Sequence, residues 1–158
     1  MAQKYLTIGW ERLHDDARLL AAKVIGSGPW QGIVAITRGG LVPAAIVARE
    51  LDCRLIECVS VVTYEHTTMG EPRVIKPPAI QGRGEGYLIV DDLVDSGTTA
   101  RVVKGLLPAA HFACLYAKPA GEALADTFVT AVPQEVWLLF PWDTAPQFVP
   151  PLAQRGTG

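Results

Sequence analysis

The stretch Tyr87–Thr99, YLIVDDLVDSGTT, joins an apolar strand to two adjacent carboxylates and a short loop rich in Gly and Thr. Leu88–Val90 is the kind of continuous apolar run that is typical of a strand buried on both faces of a parallel sheet. Asp91 and Asp92 follow directly, so we expect them at the carboxyl end of that strand. Open α/β sheets bind their ligands in the crevice at this end.

The loop that follows the acids is suited to a phosphate. Ser96–Thr99 opens a predicted helix, whose free N–H groups and dipole favour an anion. No Gly-Lys-Ser/Thr follows the loop, as a P-loop requires, and no G-x-G-x-x-G dinucleotide fingerprint follows the strand. Acids and loop together therefore predict a sugar-phosphate site. The plainer alternative is a strand-to-helix connection with solvated acids and a helix cap.

Length and composition limit the function classes. With 158 residues the chain is long enough for one domain with a substantial core, and we expect a single domain over residues 1–158. Hydrophobic residues make up 49% and charged residues only 19%, which favours a buried interface and hence an oligomer. The formal net charge is −2 and no predicted helix gathers Lys and Arg, so nucleic acid is not an expected partner.

The cysteines and the hydropathy pattern indicate the compartment. Cys53, Cys58 and Cys114 lack metal-type C-x-x-C spacing, so we expect reduced packing residues in a cytoplasmic protein. No signal peptide is evident, and the apolar run of residues 41–48 is far shorter than the roughly 20 residues of a spanning helix. We therefore expect a soluble protein.

Helical and strand patterns alternate along the chain. The spacing of apolar residues predicts an amphipathic helix over about residues 9–25, with Trp10 on its core face. Arg38-Gly39-Gly40 breaks a short strand, and Pro43 fits the first turn of the next helix. The predicted strands are 33–36, 55–62, 87–90 and 112–117, and the later helices are about 43–51 and 102–107. This order is typical of a parallel α/β sheet flanked by helices.

Two regions lack regular patterns. Residues about 65–85 are rich in Gly, Pro and Thr and leave room for only one short regular piece, Arg73–Lys76, so we expect a flexible lid there. A passive surface loop is the alternative. Residues about 126–152 hold short apolar pieces separated by prolines, among them 128–129, 136–140 and 148–149, and we expect a small cap over the sheet. The polar tail after Ala153 should be frayed.

Residues 87–99 resemble the signature of the type I phosphoribosyltransferases. Arg38-Gly39-Gly40 resembles the pyrophosphate loop of that family, and the likeness extends over residues about 4–152. Lys118-Pro119, Val136-Trp137-Leu138 and Pro141-Trp142-Asp143 resemble the purine pocket of its bacterial 6-oxopurine members. The resemblance implies the type I phosphoribosyltransferase fold, a central parallel sheet flanked by helices with a small cap, or hood.

The resemblance also implies roles for the sugar-phosphate residues. Asp91 and Asp92 would contact the ribose hydroxyls of phosphoribosyl pyrophosphate (PRPP), and Asp92 would contact Mg²⁺, which needs few protein ligands. Asp95 would be the catalytic general base at N7 of the purine. Arg38 and Gly39 would meet the diphosphate. The remaining PRPP-binding positions of the loop are Leu93, Val94, Asp95, Ser96, Gly97, Thr98 and Thr99.

The base pocket is implied by the same resemblance. Lys118 would donate to the oxygen at C6, which discriminates against the amino group of adenine. Trp137 would stack on the purine, Leu138 would line the pocket, and the carbonyls of Trp137 and Asp143 would meet a 2-substituent. Asp95 would face the base from the phosphate side. Taken singly, a snorkelling lysine and a core tryptophan are the simpler interpretations.

We therefore expect a purine-salvage enzyme that converts guanine, xanthine or hypoxanthine with PRPP into GMP, XMP or IMP and pyrophosphate, with Mg²⁺ as cofactor. The resemblance further implies a homotetramer in the cytoplasm, with weak peripheral association with the inner membrane. Two alternatives stay open. One is a nucleotide-sensing regulator on the same fold, and the other is a phosphoribosyltransferase for another base.

Overall fold

A computed structural model describes residues 2–63, 70–143 and 154 of the chain. The strands are β1 Lys4–Thr7, β2 Gly32–Thr37, β3 Ile56–Thr63, β4 Pro72–Lys76, β5 Tyr87–Val94, β6 His111–Ala117, β7 Thr127–Ala131 and β8 Val136–Leu139. The helices are α1 Trp10–Val24, α2 Leu41–Glu50 and α3 Thr98–Leu106, and short 3₁₀ helices cover Ile25–Ser27, Glu122–Leu124 and Pro141–Asp143.

The described residues form a central six-stranded sheet with the strand order β4-β3-β2-β5-β6-β7. Every neighbouring pair is parallel except β3 with β4, which is antiparallel. The predicted α/β class with a mainly parallel sheet is confirmed. The short piece Arg73–Lys76, for which no type of element was predicted, lies in β4, which extends the sheet at one edge.

Apolar side chains project from both faces of the sheet, because successive residues of a strand point to opposite sides. Ile33 and Ala35 of β2 belong to the core cluster that α1 and α2 cover. Val34 and Ile36 of the same strand belong to a second cluster, together with Val103 of α3. Burial on both faces explains why these strands are continuous apolar runs rather than alternating ones.

Helix α1 forms as predicted, apart from its first residue. Its buried residues recur at helical spacing and are Leu13, Ala17, Leu20, Ala21 and Val24. The prediction that Trp10 belongs to the core is wrong, since this side chain is 58% exposed. Trp10 begins the helix and meets the ring of Trp142 edge-on at 6.3 Å, instead of packing on the sheet.

The strand order reverses between β2 and β5. From β2 the chain passes through α2 to β3 on one side, whereas from β5 it passes through α3 to β6 on the other. The carboxyl ends of β2 and β5 therefore open onto a topological switch point, where α/β sheets bind ligands. Strand β5 is longer than predicted, because its pairing with β6 continues to Val94 and includes Asp91.

The cap differs in part from its prediction. β1 pairs with β8 in parallel and forms a separate two-stranded sheet in the described region. The short and largely exposed β1 was not predicted, since it lacks an apolar pattern. Residues 127–131, expected in the cap, form the edge strand β7 of the central sheet. Residues 65–69 of the predicted lid, the piece 148–149 and the tail other than Gln154 lie outside the described residues.

Within residues 2–63 and 70–143, none of the helices combines the length and the apolar character that crossing a bilayer requires.

Replacement by alanine should have opposite effects on stability at two glycines. A Cβ on Gly40 would lie 2.4 Å from the carbonyl oxygen of Val90 and 2.7 Å from that of Ile36, and backbone oxygens cannot move aside cheaply. Gly40→Ala should therefore lower the free energy of unfolding by about 1–3 kcal/mol. Gly105 lies at an exposed position of α3, where an added Cβ would have no atom within 4 Å. Gly105→Ala should therefore raise the free energy of unfolding by about 0.5–1 kcal/mol. Urea unfolding of both variants tests this, and an unchanged Gly40→Ala variant would contradict the packing.

Candidate active site

A cleft of about 1260 Å³ lies at the switch point, above the carboxyl ends of β2 and β5. The turn after β2 contributes Arg38 and Gly39, and the end of β5 with its loop contributes residues 91–100. Trp142 and Asp143 line the cleft from the 3₁₀ helix after β8. The structure thus brings together every residue that the sequence assigned to the sugar phosphate.

Asp91 and Asp92 lie side by side at the floor of the cleft. Asp91 is buried, and one oxygen of its carboxylate accepts the backbone N–H of Asp92 at 2.9 Å. The carboxylate of Asp92 accepts the N–H of Leu93 at 2.7 Å. Burial, followed by the adjacent charge of Asp92, raises the pKa of Asp91 well above its usual range. Burial also raises the pKa of Asp92. A cation bound between the two carboxylates would stabilise their ionised forms and so lower both pKa values.

Gly39, in the turn after β2, lies against the carboxylate of Asp92. A Cβ at this position would lie 2.2 Å from a carboxylate oxygen of Asp92, so only glycine allows the turn to approach so closely. The preceding Thr37–Arg38 peptide bond is cis. The hydroxyl of Thr37 is 2.7 Å from that of Ser60, which lines the cleft from β3. Ser60 could not be singled out in advance, because a single serine within a strand forms no recognisable pattern.

The donor set of the floor fits Mg²⁺. Carboxylate oxygens are the hard ligands that this ion prefers, and it commonly binds through one or two carboxylates plus substrate phosphates. Among the described residues, no group of three or more His, Cys, Asp and Glu side chains could form an all-protein metal cage. Asp91 and Asp92 thus suit an ion that is shared with a phosphorylated substrate.

The phosphate loop connects β5 with the N-terminus of α3. Gly97 has φ of +85°, a left-handed conformation that favours glycine, and a Cβ there would lie 2.5 Å from Leu124. The Ser96 and Thr98 hydroxyls are 2.9 Å apart. α3 begins at Thr98, so its first N–H groups have no partner within the helix and can donate to an anion.

Asp95 and Lys118, which the sequence assigned to the base, are in contact. The ammonium of Lys118 donates to one carboxylate oxygen of Asp95 at 3.0 Å. The Lys118 side chain is 4% exposed, whereas that of Asp95 is 49% exposed. Gln134 donates to the second oxygen of Asp95 at 2.8 Å. Gln134 was missed, because it lies in a turn whose sequence shows no motif.

The other predicted base residues lie in two places. On β8, Leu138 is buried in the core and Trp137 is 53% exposed, since neighbouring strand residues face opposite sides. Neither these two nor Lys118 is among the described residues that line the cleft, whereas Asp143 is. Trp142 also lines it, with its ring stacked on Phe140 at 5.0 Å. Trp142 belongs to the Pro141-Trp142-Asp143 motif named from the sequence, which assigned a role only to Asp143.

The family model described as a phosphoribosyl transferase domain matches residues 9–148. This match covers most of the chain, and the chain belongs to that family. The resemblance of residues 87–99 to the phosphoribosyltransferase signature is thereby confirmed.

Similar proteins with established names support this assignment. A xanthine-guanine phosphoribosyltransferase of Gluconobacter oxydans (strain 621H) is 63% identical over 153 residues, covering 95% of this chain and 91% of that protein. A protein of the same name from Nitratidesulfovibrio vulgaris (strain DP4) is 51% identical over 154 residues, covering 97% and 93%. The solved purine phosphoribosyltransferase of Pyrococcus horikoshii Ot3 matches with a TM-score of 0.76 and 28% identity, covering 94% of this chain and 99% of that one.

The raised pKa of Asp91 predicts a pH-dependent gain in stability on its removal. A carboxyl whose pKa is raised in the folded state contributes stability at low pH and loses it as pH rises through the raised value. Asp91→Asn keeps an oxygen for the Asp92 N–H but carries no charge. The variant should therefore melt several degrees above the parent at pH 8, as about 1 kcal/mol corresponds to roughly 2–4 °C in a domain of this size.

The gain in Tm should shrink as the pH falls to ~4, the ordinary aspartate pKa, because Asp91 of the parent is then protonated and uncharged like the asparagine. Thermal unfolding at several pH values, without metal or substrate, measures it. Asp15→Asn, a change at an exposed residue of α1, is the matched control and should leave Tm unchanged. Equal melting temperatures of Asp91→Asn and the parent at pH 8 would show that the burial of Asp91 is not costly.

Proposed function

We propose that this member of the phosphoribosyltransferase family transfers the 5-phosphoribosyl group from PRPP to guanine, xanthine or hypoxanthine and releases pyrophosphate. The observation that carries the proposal is the contact of the Gly39 turn with the Asp91–Asp92 pair, directly beside the phosphate loop. This arrangement has one place each for a diphosphate, a ribose and a 5′-phosphate. The names of the bacterial relatives support the choice of base.

The loop and the acids would bind the two ends of the sugar. The N–H groups at the start of α3, with the Ser96, Thr98 and Thr99 hydroxyls, would donate to the 5′-phosphate. The backbone of Leu93, Val94 and Gly97 shapes this loop. The carboxylates of Asp91 and Asp92 would accept hydrogen bonds from the ribose hydroxyls and stabilise positive charge that develops at the ribose carbon.

Asp92, with Asp91 beside it, would hold Mg²⁺ together with the diphosphate of PRPP. When bound, this ion would stabilise the negative charge of the departing pyrophosphate. Arg38 is exposed at the rim of the cleft and would contribute charge-assisted hydrogen bonds to the same group. Gly39 also lines the cleft and would offer its backbone N–H to the same group.

Asp95 would accept the proton from N7 of the purine, and Lys118 would donate to the oxygen at C6. Adenine has an amino group at C6, so a lysine there would leave two donors facing each other. Trp137, Leu138 and the carbonyls of Trp137 and Asp143 complete the proposed pocket around the 2-position. Because Lys118 contacts Asp95 in this structure, its hydrogen bonds must be redistributed when a base binds.

The proposal extends to the organisation of the protein. The chain would act as a single domain over residues 1–158, with a lid at about 65–85 and a cap at about 126–152, of which β7 is part of the central sheet. Lid closure would exclude water and so suppress hydrolysis of PRPP. A homotetramer in the cytoplasm, with weak peripheral membrane association, belongs to the same proposal.

Steady-state kinetics with PRPP test the proposal directly. Guanine, xanthine, hypoxanthine and adenine are compared with and without Mg²⁺, and pyrophosphate and nucleotide are quantified together. We expect metal-dependent turnover of the 6-oxopurines in equal amounts with pyrophosphate, and little with adenine. PRPP binding without turnover of any of these bases would favour the sensing role, and turnover of adenine alone would reject the base assignment.

Asp95→Asn should lower kcat by roughly 100-fold or more, because the amide keeps the shape of the carboxylate but cannot accept a proton. PRPP binding should weaken far less than kcat falls, since the ribose and diphosphate contacts are assigned to other residues. Initial rates and PRPP titration of the variant separate the two effects. Unchanged kcat would remove Asp95 from the chemistry.

Lys118→Ala should lower the preference for guanine over adenine, expressed as the ratio of kcat/KM, by roughly tenfold or more. The ratio is the relevant measure, because loss of the contact with Asp95 affects all bases alike. Lys104→Ala is the matched control, since that ammonium contacts the Leu124 carbonyl and Asp126 instead. A Lys118 variant that ranks the bases as the parent does would place the base pocket elsewhere.

A further inference from the structure

We propose that Gln134 is a positioning residue that holds the carboxylate of Asp95 in the direction required for proton transfer. The proposal rests on the function proposed above, since it concerns the residue assigned as general base. Gln134 lies in the turn between β7 and β8, and both ends of its side-chain amide are engaged by protein partners, the Ala120 N–H and Asp95. It would therefore act through Asp95 and not by touching the substrate.

The orientation of the Gln134 amide is fixed by its two partners. The backbone N–H of Ala120 donates to Oε1 at 3.0 Å, so this end must be the oxygen. The other end, Nε2, donates to Oδ1 of Asp95 at 2.8 Å. A side-chain amide has one acceptor end and one donor end, and both ends are used here. A carboxylate or an apolar side chain could not make this pair of bonds.

Gln134 and Lys118 bind different oxygens of Asp95. The ammonium of Lys118 contacts Oδ2, whereas Gln134 contacts Oδ1. When Lys118 directs hydrogen bonds to an incoming base, its hold on Asp95 weakens. The contact with Gln134 does not compete with the base, and so it keeps the carboxylate oriented while the ammonium changes partners.

The turn that carries Gln134 is anchored at both ends. Before it, the N–H of Val132 donates to the Ala117 carbonyl at 2.9 Å. After it, the side chain of Gln3 donates to the Glu135 carbonyl at 2.8 Å. The amide of Gln134 therefore projects from a fixed backbone toward the loop that begins at Lys118. Such support is what a residue needs if it is to hold a reacting group within a narrow range of directions.

Kinetics of Gln134→Met test the role. Methionine has a similar length and flexibility but cannot donate to Asp95. We expect kcat with guanine to fall roughly tenfold, while KM for PRPP and Tm stay close to the parent values. Gln31→Met is the matched control, because it also removes an exposed amide that donates to a backbone carbonyl, that of Glu85, but it touches neither Asp95 nor the turn of Gln134, and it should leave kcat unchanged. A Gln134→Met kcat equal to that of the parent overturns the proposal, and so does an equal loss in Gln31→Met.

A double-mutant cycle separates positioning from a general structural effect. In an Asp95→Asn background, Gln134→Met should lower kcat no further, because the group that it positions no longer acts as a base. An additional tenfold loss would show that Gln134 acts elsewhere and would overturn the proposal. A parent enzyme without turnover overturns the proposed function and this inference together, whereas an active parent with an unaffected Gln134→Met variant overturns the inference alone.

Discussion

The acidic pair at the end of a central strand, with Asp91 buried and Asp92 half-buried beside it, is the constraint on which the rest of the structure depends. Burial raises the pKa of both carboxyls and the charge of Asp92 raises that of Asp91 further, so ionising the pair costs the folded protein stability. The sheet provides the stability that tolerates it, through apolar layers on both faces of β5. A fold without this stabilising apolar burial could not keep such a pair available for a cation and a sugar.

The same constraint explains the neighbouring backbone. Gly39 is needed because the turn after β2 passes against the carboxylate of Asp92, and Gly97 is needed because the phosphate loop turns in a left-handed conformation. A Cβ on Gly121 would lie 2.5 Å from Val94 and 2.8 Å from the Asp95 carbonyl, so the loop after β6 is also packed against the end of β5. The turn after β2, the loop after β5 and the loop after β6 are thus held to one strand end by close contacts at glycines.

Much of this arrangement could be predicted from local sequence. A few consecutive residues are enough to recognise the apolar runs of β2, β5 and β6 and the loop after Asp92, and the structure confirms these elements. Features that depend on distant partners could not be predicted in this way. β1 exists through pairing with β8 at the other end of the chain, and the contact of Lys118 with Asp95 joins two separate loops. Trp10 shows the limit of periodicity, because a residue at helical spacing at the very start of a helix can lie beyond the sheet that it is expected to cover.

The central claim is that the acidic pair and the phosphate loop form one site for a metal-bound, activated sugar phosphate. Isothermal titration calorimetry of the full chain with PRPP, in the presence and absence of Mg²⁺, tests it most directly. The account predicts saturable binding of one PRPP per chain that is strengthened by Mg²⁺ and is lost in a variant with both Asp91 and Asp92 replaced by Asn. Absence of binding heat with Mg²⁺ over a range of temperatures, or equal binding by that variant, would contradict it.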